Sequence, residues 1–291
     1  MADFDEYADE QPAKSSGASI SDEIAAVGAG VGGGFHNTSD LHVMNYKEAM
    51  STNDAPKWKE AIKDEIQSFK KHKVFKPVKR KDVPKNAKII TSTWAMKKKS
   101  NGRYKVRCNM RGFQQKDGEH YDSHNISTPV TNDVTIRLLF IIMIMTMWFG
   151  YVIDVKGAFL HGQFRNGEQI YSEIPDGFHE EYNPQYWLWL LLKTCYGLKQ
   201  ASYEFWSQLL SAMRNMAFKR SNADPCLYTR WKDGRLNVWL SWVDDLIAIG
   251  PKQDIVKNKE EFKTYFECDD VGWLNEYVGC KIEVDRKSRK L

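Results

Sequence analysis

The sequence has 291 residues, of which 42% are hydrophobic and 27% are charged. This composition is typical of a globular protein with a sizeable core, and no apolar run reaches the roughly 20 residues of a membrane helix. The N-terminus lacks the basic start and the apolar run of a secretory signal. The five cysteines form no CxxC pair, so we expect reduced thiols in an intracellular compartment.

The net charge of +4 is unevenly distributed along the chain. Residues 1–45 carry a charge of −7 and are rich in glycine, so we expect them to be disordered, and the remaining residues carry +11. Between Lys70 and Lys116 there are seventeen Lys and Arg residues and a single acid, Asp82. This density suits contact with nucleic acid or with a nucleotide triphosphate, and a solvated basic face is the alternative.

The first half of the chain predicts a helix and then a hairpin. Apolar residues at helical spacing, with a proline near the start, predict an amphipathic helix from Asn53 to His72. Strand-like segments at 89–98 and 104–111 flank Ser100-Asn101-Gly102, whose Asn-Gly pair favours a tight hairpin turn. The tip of this hairpin is strongly basic.

The second half predicts an alternation of helices and strands. An apolar run predicts a buried helix at 135–149, and a short buried strand at 151–155 carries one acid, Asp154. A second helix is predicted at 202–217, followed by a hairpin around Lys232-Asp233-Gly234. Helices and strands mix without a regular βαβ repeat, which indicates an α+β fold with an antiparallel sheet.

Asp244 and Asp245 interrupt a run that is otherwise nearly all apolar, and the pattern predicts a turn at these two residues. Two adjacent negative charges in such a setting cost several kcal/mol unless a cation neutralises them. Carboxylates are ligands that Mg²⁺ prefers, and a pair of such ions can stabilise both the entering and the leaving oxygen of a phosphoryl displacement. Asp154 would complete such a cluster. The alternative is an exposed hairpin turn, in which Asp is common.

Three segments, taken together, resemble a known family. They are Asp154-Val-Lys-Gly-Ala-Phe-Leu-His-Gly162, Cys195-Tyr-Gly-Leu-Lys-Gln-Ala201 and Trp242-Val-Asp-Asp245. In order and spacing they resemble the three successive polymerase motifs of copia-type retrotransposon reverse transcriptases. The basic segment Tyr104–Lys116 resembles the fingers segment of the same family.

The resemblance implies an α+β right-hand polymerase in which helices pack on an antiparallel palm sheet. The domains it implies are the fingers at 46–132, the palm with the catalytic site at 133–270, and the start of a palm–thumb connection at 271–291, with the thumb largely missing. The implied function is that of an RNA-directed DNA polymerase, a nucleotidyltransferase within a retrotransposon polyprotein. Its partners would be an RNA or DNA template with a primer and deoxynucleoside triphosphates, in a cytoplasmic virus-like particle and without membrane association.

The resemblance also assigns the catalytic carboxylates. Asp154, Asp244 and Asp245 would hold two Mg²⁺ ions, for which Mn²⁺ can substitute, and the primer 3′ hydroxyl would attack the α-phosphate of the nucleotide. Two other interpretations stay open: a catalytically inactive fragment that only binds nucleic acid, and a two-metal nuclease.

The resemblance gives roles to further residues. Phe159 would lie against the sugar of the incoming nucleotide and exclude a 2′ hydroxyl, although it can equally be a core residue. The other nucleotide-binding candidates are Gln200, Lys97, Lys105 and Arg107. The nucleic-acid-binding candidates are Trp242, Lys98, Lys99, Arg103 and Arg111. Trp242 stands where the family usually has Tyr, which replaces a hydroxyl with an indole N–H donor.

Overall fold

The computed structural model describes residues 43–99, 102–165, 167–277, 280–285 and 287–288. The predicted disordered segment lies outside these ranges up to residue 42, as do Ser100 and Asn101 of the predicted hairpin turn. Residues 43–45 of that segment are described, and Met44 forms an antiparallel bridge in which its N–H donates to the carbonyl of Met96 at 2.9 Å.

The described residues form five α-helices. They are α1 (Tyr46–Met50), α2 (Ala55–Lys71), α3 (Asp133–Met145), α4 (Ala201–Asn215) and α5 (Lys252–Phe262). Helix α2 has a proline in its first turn and ends at its C-cap His72, which confirms the prediction. Helix α4 confirms the helix that was predicted at 202–217. No helix in the described ranges has the length and apolar character needed to cross a membrane.

The described residues also form fourteen β-strands. The first seven are β1 (Phe75–Lys79), β2 (Ile89–Ile90), β3 (Ser92–Lys98), β4 (Tyr104–Met110), β5 (Phe149–Val155), β6 (Ile170–Ser172) and β7 (Trp187–Leu191). The other seven are β8 (Lys219–Arg220), β9 (Leu227–Lys232), β10 (Arg235–Trp242), β11 (Asp245–Gly250), β12 (Cys268–Trp273), β13 (Glu276–Tyr277) and β14 (Cys280–Lys281).

Most of these strands form two sheets. The first sheet has the strand order β1-β7-β6-β2, and the second has six antiparallel strands in the order β12-β5-β11-β10-β9-β8. The two predicted hairpins are confirmed as β3–β4 and β9–β10. At the tip of β9–β10, Asp233 and Gly234 both have positive φ, of 51° and 71°, as a tight hairpin turn requires. Helices and largely antiparallel sheets confirm the α+β class.

Three hydrophobic clusters hold these layers together. The first lies between α2, the β3–β4 hairpin and the first sheet, and its buried rings include Trp58, Phe69 and Trp189. The second and third clusters cover the two faces of the six-stranded sheet, with α4 and α5 on one face and α3 on the other. Strands β6 and β7 belong to the first sheet, so the strands within residues 133–270 divide between the two sheets.

Helix α3 differs from the predicted buried helix in length and in burial. It ends at Met145, because Met147 takes a positive φ of 58° and the chain enters β5 at Phe149. Leu139 and Met143 are buried against the six-stranded sheet. Four other apolar residues of the helix are exposed, with exposed fractions of 53% to 69%: Val134, Leu138, Ile141 and Met145. The prediction of a buried helix was wrong because only one face of this largely apolar helix meets the sheet.

Candidate active site

Neighbouring strands of the six-stranded sheet carry a row of aspartates at one register. Asp154 on β5 lies directly opposite Asp245 on β11 and directly opposite Asp269 on β12. Trp242 on β10 lies opposite Asp245 at the far end of this row. Residues paired in this way point to the same face of a sheet, here the face that carries Val152. Three carboxylates therefore stand side by side at one end of this face.

The pair formed by Asp154 and Asp245 is a close one. The N–H of Val155 donates to the carbonyl of Asp244 at 3.1 Å, which makes the neighbouring 154–245 pair one without mutual backbone hydrogen bonds. In antiparallel sheets the side chains of such pairs approach more closely than those of hydrogen-bonded pairs. The two carboxylates are thus held near each other by the backbone itself.

The turn between β10 and β11 differs by one residue from the prediction. Because Trp242 pairs with Asp245, the two turn residues are Val243 and Asp244, and Asp245 is the first residue of β11. Val243 has a φ of 54°, which is unfavourable for a β-branched residue. Backbone strain of this kind persists where the surroundings enforce it and concentrates at functional sites. The strained residue here is Val243, which directly precedes Asp244 in the turn between β10 and β11.

Burial and neighbouring carboxylates raise the pKa values of Asp154 and Asp245. Burial, followed by the charges of Asp244 and Asp154, raises the pKa of Asp245 to about 6. Burial, followed by the charge of Asp244, also raises the pKa of Asp154, and Asp269 adds to the effect. Lys105 acts in the opposite direction on both groups. The site therefore has an excess of negative charge that a cation would stabilise.

We predict that Asp245→Asn stabilises the metal-free protein. The folded-state pKa of Asp245 is raised, so its stabilising contribution is complete below its unfolded pKa and is lost as pH rises through about 6. At about pH 8 the variant should therefore gain about 1–2 kcal/mol in the free energy of unfolding, and at about pH 4 it should gain nothing. Urea denaturation at both pH values measures this, and a loss of stability at about pH 8 would contradict the electrostatic interpretation.

The β3–β4 hairpin turns a basic face towards these carboxylates. Lys97 lies directly opposite Lys105, and Arg107 is on the same face, whereas the opposite face packs into the first cluster. The pKa of Lys105 is lowered to about 8 by desolvation of its ammonium group and then by Arg107 and Lys99, although the residue keeps much of its surface exposed. The charges of Asp154 and Asp244 oppose this effect and raise the pKa of Lys105. Lys97, Lys105 and Arg107 therefore share one face of the hairpin, and Lys105 lies within electrostatic reach of Asp154 and Asp244.

An aromatic wall connects the basic face to the loop after β5. The guanidinium of Arg107 lies over the ring of Tyr196 at 5.3 Å, and the Tyr196 ring meets the ring of Phe159 edge-to-face at 5.7 Å. The carbonyl of Phe159 accepts a hydrogen bond from the hydroxyl of Thr194 at 2.9 Å. Phe159 is half-buried and packs against the first cluster.

Of the predicted nucleic-acid-binding residues, Lys98 and Arg111 are engaged away from the carboxylates. Lys98 faces away from the basic face and forms an ion pair with Asp54 at 3.6 Å. Arg111 follows β4 and donates to the hydroxyl of Thr91 at 3.2 Å. Lys99 and Arg103 flank the hairpin tip, where the Lys99 N–H donates to the Arg103 carbonyl at 2.8 Å, and both side chains are exposed. The charge of Lys99 lowers the pKa of Asp154 and of Asp245, so Lys99 lies within electrostatic reach of the carboxylates.

Gln200 is enclosed by protein. Its side chain is 2% exposed, and its amide donates to the carbonyl of His120 at 2.8 Å. Its side-chain oxygen accepts from Gln115 at 3.0 Å, and the same Gln115 accepts from the Lys199 N–H at 2.9 Å. This network fastens the loop at 115–120 to the N-terminus of α4.

Asp269 and Lys156 were not predicted from the sequence. Lys156 Nζ lies 2.8 Å from Asp269 Oδ1 and 3.7 Å from Glu267 Oε1, which neutralises part of the acidic row. The adjacent acids Asp269 and Asp270 were visible in the sequence, but only the pairing of β12 with β5 shows which of them faces Asp154. Asp270 is held by Lys263 at 2.6 Å instead.

In the described part of the chain, no group of three or more His, Cys, Asp or Glu side chains is already arranged to hold a metal ion. The structure shows Asp154 and Asp245 side by side in the sheet and Asp244 in the adjoining turn. The chemistry of these donors suits hard cations, because all three are carboxylates.

Comparison with known proteins gives the family of the chain. Residues 72–291 match the family described as reverse transcriptase (RNA-dependent DNA polymerase). The chain belongs to this reverse transcriptase family. It is 31% identical over 261 residues to the retrovirus-related Pol polyprotein from transposon TNT 1-94 of Nicotiana tabacum, a match that covers 87% of the chain and 19% of that polyprotein. This confirms the resemblance to copia-type retrotransposon reverse transcriptases.

Two polyproteins of Arabidopsis thaliana are also similar to this reverse transcriptase chain. The Pol polyprotein from transposon RE1 is 26% identical over 206 residues, which covers 69% of the chain and 14% of that polyprotein. The Pol polyprotein from transposon RE2 is 28% identical over 180 residues, which covers 60% of the chain and 12% of the polyprotein. The chain thus spans less than a fifth of the length of each polyprotein.

Proposed function

We propose that this chain is the RNA-directed DNA polymerase domain of a copia-type retrotransposon polyprotein and acts inside the cell. Its reaction would extend a primer 3′ hydroxyl with deoxynucleoside triphosphates on an RNA or DNA template. One observation carries the proposal: the aspartate row on β11, β5 and β12 lies within electrostatic reach of the basic face of the β3–β4 hairpin. Reverse transcriptase chemistry needs both a carboxylate site for metal and a basic site for triphosphate.

The domain arrangement we propose follows the sheets. The six-stranded sheet, with its three helices, serves as the palm, and the β3–β4 hairpin, α2 and the first sheet serve as the fingers. Because β6 and β7 belong to the first sheet, we assign residues 170–191 to the fingers and keep the rest of 133–270 in the palm. Residues 271–291 would begin the connection towards a thumb.

The proposed metal ligands are Asp154, Asp244 and Asp245. Two divalent ions bound there would lower the pKa of the primer hydroxyl and stabilise the charge that develops on the leaving pyrophosphate. Asp154 and Asp245 are held close by strand pairing, and the raised pKa of each carboxylate fits a site that ionises fully with a bound cation. Asp269 is restrained by Lys156 and would contribute through its charge.

The nucleotide would lie between the carboxylates and the basic face. Lys97, Lys105 and Arg107 would receive the triphosphate. Desolvation, and then the charges of Arg107 and Lys99, lower the pKa of Lys105, and a bound polyanion would offset the repulsion between these cations. The Tyr196 and Phe159 rings would wall the sugar side. Trp242, next to Asp245, would contact the primer end, and Gln200 would support the loop at 115–120.

Primer extension tests the proposal. The chain is incubated with an RNA template, an annealed DNA primer and the four deoxynucleoside triphosphates, with Mg²⁺ or with chelator. Extension that requires the divalent ion is the expected result. Salt-sensitive binding of the primed template without extension would instead support a fragment that only binds nucleic acid. Cleavage of the template without extension would support a nuclease.

A further inference from the structure

The outer edge of strand β4 is fastened at several points. The N–H of Met110 donates to the carbonyl of Tyr196 at 2.8 Å, and the N–H of Gly112 donates to the carbonyl of Gly197 at 3.1 Å. A Cβ atom on Gly112 would come within 2.2 Å of the Gly197 carbonyl, so the two backbones meet without room for a side chain. These contacts fix the C-terminal half of β4 against the segment that begins with Cys195.

The side chain of Glu65 contacts the same edge of β4, closer to the basic residues. Glu65 projects from α2, and its Oε1 accepts a hydrogen bond from the N–H of Cys108 at 3.3 Å. Strand β4 pairs only with β3 in the described structure, so this outward-facing N–H has no strand partner. Cys108 directly follows Arg107, and Lys105 lies two residues before Arg107. Helix α2 also packs on the start of β4, where the Trp58 ring meets the Tyr104 ring at 4.6 Å. The Glu65 carboxylate adds a hydrogen bond to the backbone of this strand next to Arg107.

The environment of Glu65 is unfavourable for a charge. Burial raises the pKa of Glu65 to about 7, against the opposing effects of the Cys108 N–H, Arg107 and Lys105. The other titratable groups that its charge reaches are the thiols of Cys108 and Cys195 and the hydroxyl of Tyr196, whose pKa values are raised, so they stay neutral. A carboxylate that costs stability at neutral pH points to a functional requirement.

We propose that Glu65 is a positioning residue for the incoming nucleotide. Its carboxylate holds the backbone of β4 at Cys108 and, when ionised, offsets the positive charge of Arg107. Lys105 and Arg107 are then presented to the triphosphate in one fixed arrangement while Arg107 rests on the Tyr196 ring. The role of nucleotide positioning rests on the proposed polymerase function; the anchoring of β4 does not.

The first test compares Glu65→Gln and Glu65→Ala in primer extension. The Gln variant keeps an oxygen that can accept from Cys108 but loses the charge, so KM for the deoxynucleotide should rise about threefold. The Ala variant loses both, so KM should rise about tenfold or more, with kcat changed less than about twofold in each case. Glu60→Gln, an exposed change on the same helix, is the matched control and should leave both constants unchanged. Unchanged KM in both Glu65 variants would overturn the proposal.

A second measurement separates positioning from a merely structural role. The stabilising contribution of Glu65 is complete below its unfolded pKa and is lost as pH rises through about 7, because its folded-state pKa is raised. At about pH 8 the Gln variant should therefore have a Tm equal to or above that of the unchanged protein, even though its KM is higher. A lower Tm together with a proportionate loss of kcat would indicate a structural role only and would overturn the proposal.

The anchoring contact can be tested without catalysis. Hydrogen exchange of the Cys108 amide should become faster in Glu65→Ala than in the unchanged protein and in Glu60→Gln, which keep the contact. If the chain performs no primer extension but the amide is deprotected, the polymerase proposal fails while the anchoring stands. If the amide keeps its full protection in a folded Ala variant, the anchoring itself is overturned.

Discussion

Asp154→Asn is expected to abolish Mg²⁺-dependent primer extension. Asp154 is the central member of the aspartate row, with a carboxylate on each neighbouring strand, so it is the group best placed to share a cation with Asp245 or Asp244. The amide has nearly the same shape but carries no charge and is a poor ligand for Mg²⁺. We expect the rate of extension to fall by about 10³-fold or more.

Controls from the same sheet make this test specific. Asp270→Asn changes the neighbouring acid on β12, which is engaged by Lys259 and Lys263, and it should keep extension near the unchanged level. Asp244→Asn should also abolish extension. Asp245→Asn should retain measurable extension if Asp245 is the peripheral ligand. Appreciable extension by Asp154→Asn, with the Asp270 control intact, would refute the assignment of the metal site.

Local elements were predictable because their causes are local. Helix α2 follows from a proline in the first turn and from apolar residues at helical spacing, and the β9–β10 hairpin follows from Asp233-Gly234, which tolerate positive φ. The predicted turn at Asp244-Asp245 was displaced by one residue. Its position depends on which residue of β10 pairs with Asp245, and the strand patterns on both sides allow either alternative.

Features that depend on contacts between residues far apart in the chain could not be predicted from the sequence. Helix α3 is entirely apolar from Leu138 to Met145, so the pattern of its last two turns did not show which residues face the sheet. Gln200 is enclosed by Gln115, a partner 85 residues away. Asp269 enters the acidic row only through the register of β12 on β5. The two motifs that carry Asp154 and Asp244-Asp245 could be found from the resemblance, but the neighbours that change the pKa values of these carboxylates could not.

Phe159→Val is expected to increase the use of ribonucleotides. Phe159 is half-buried, its ring stands against Tyr196, and it follows Asp154 by five residues, so we propose that the ring lies on the sugar side of the nucleotide position. A smaller side chain would leave space for a 2′ hydroxyl. The ratio of kcat/KM for deoxynucleotides to that for ribonucleotides should fall by about 10- to 100-fold, mainly because ribonucleotide use rises.

The competing interpretation, in which Phe159 is only a core residue, predicts a different result. Removing part of a ring from the first cluster costs stability wherever that ring lies, so Phe164→Val, which alters another half-buried ring against the same cluster, is the matched control. Both variants should lose a similar 1–3 kcal/mol, a rough range, in the free energy of unfolding. Only Phe159→Val should change sugar selectivity. If both variants lose stability and neither changes the ratio, Phe159 is a packing residue, and discrimination against ribonucleotides must arise from other contacts of the nucleotide.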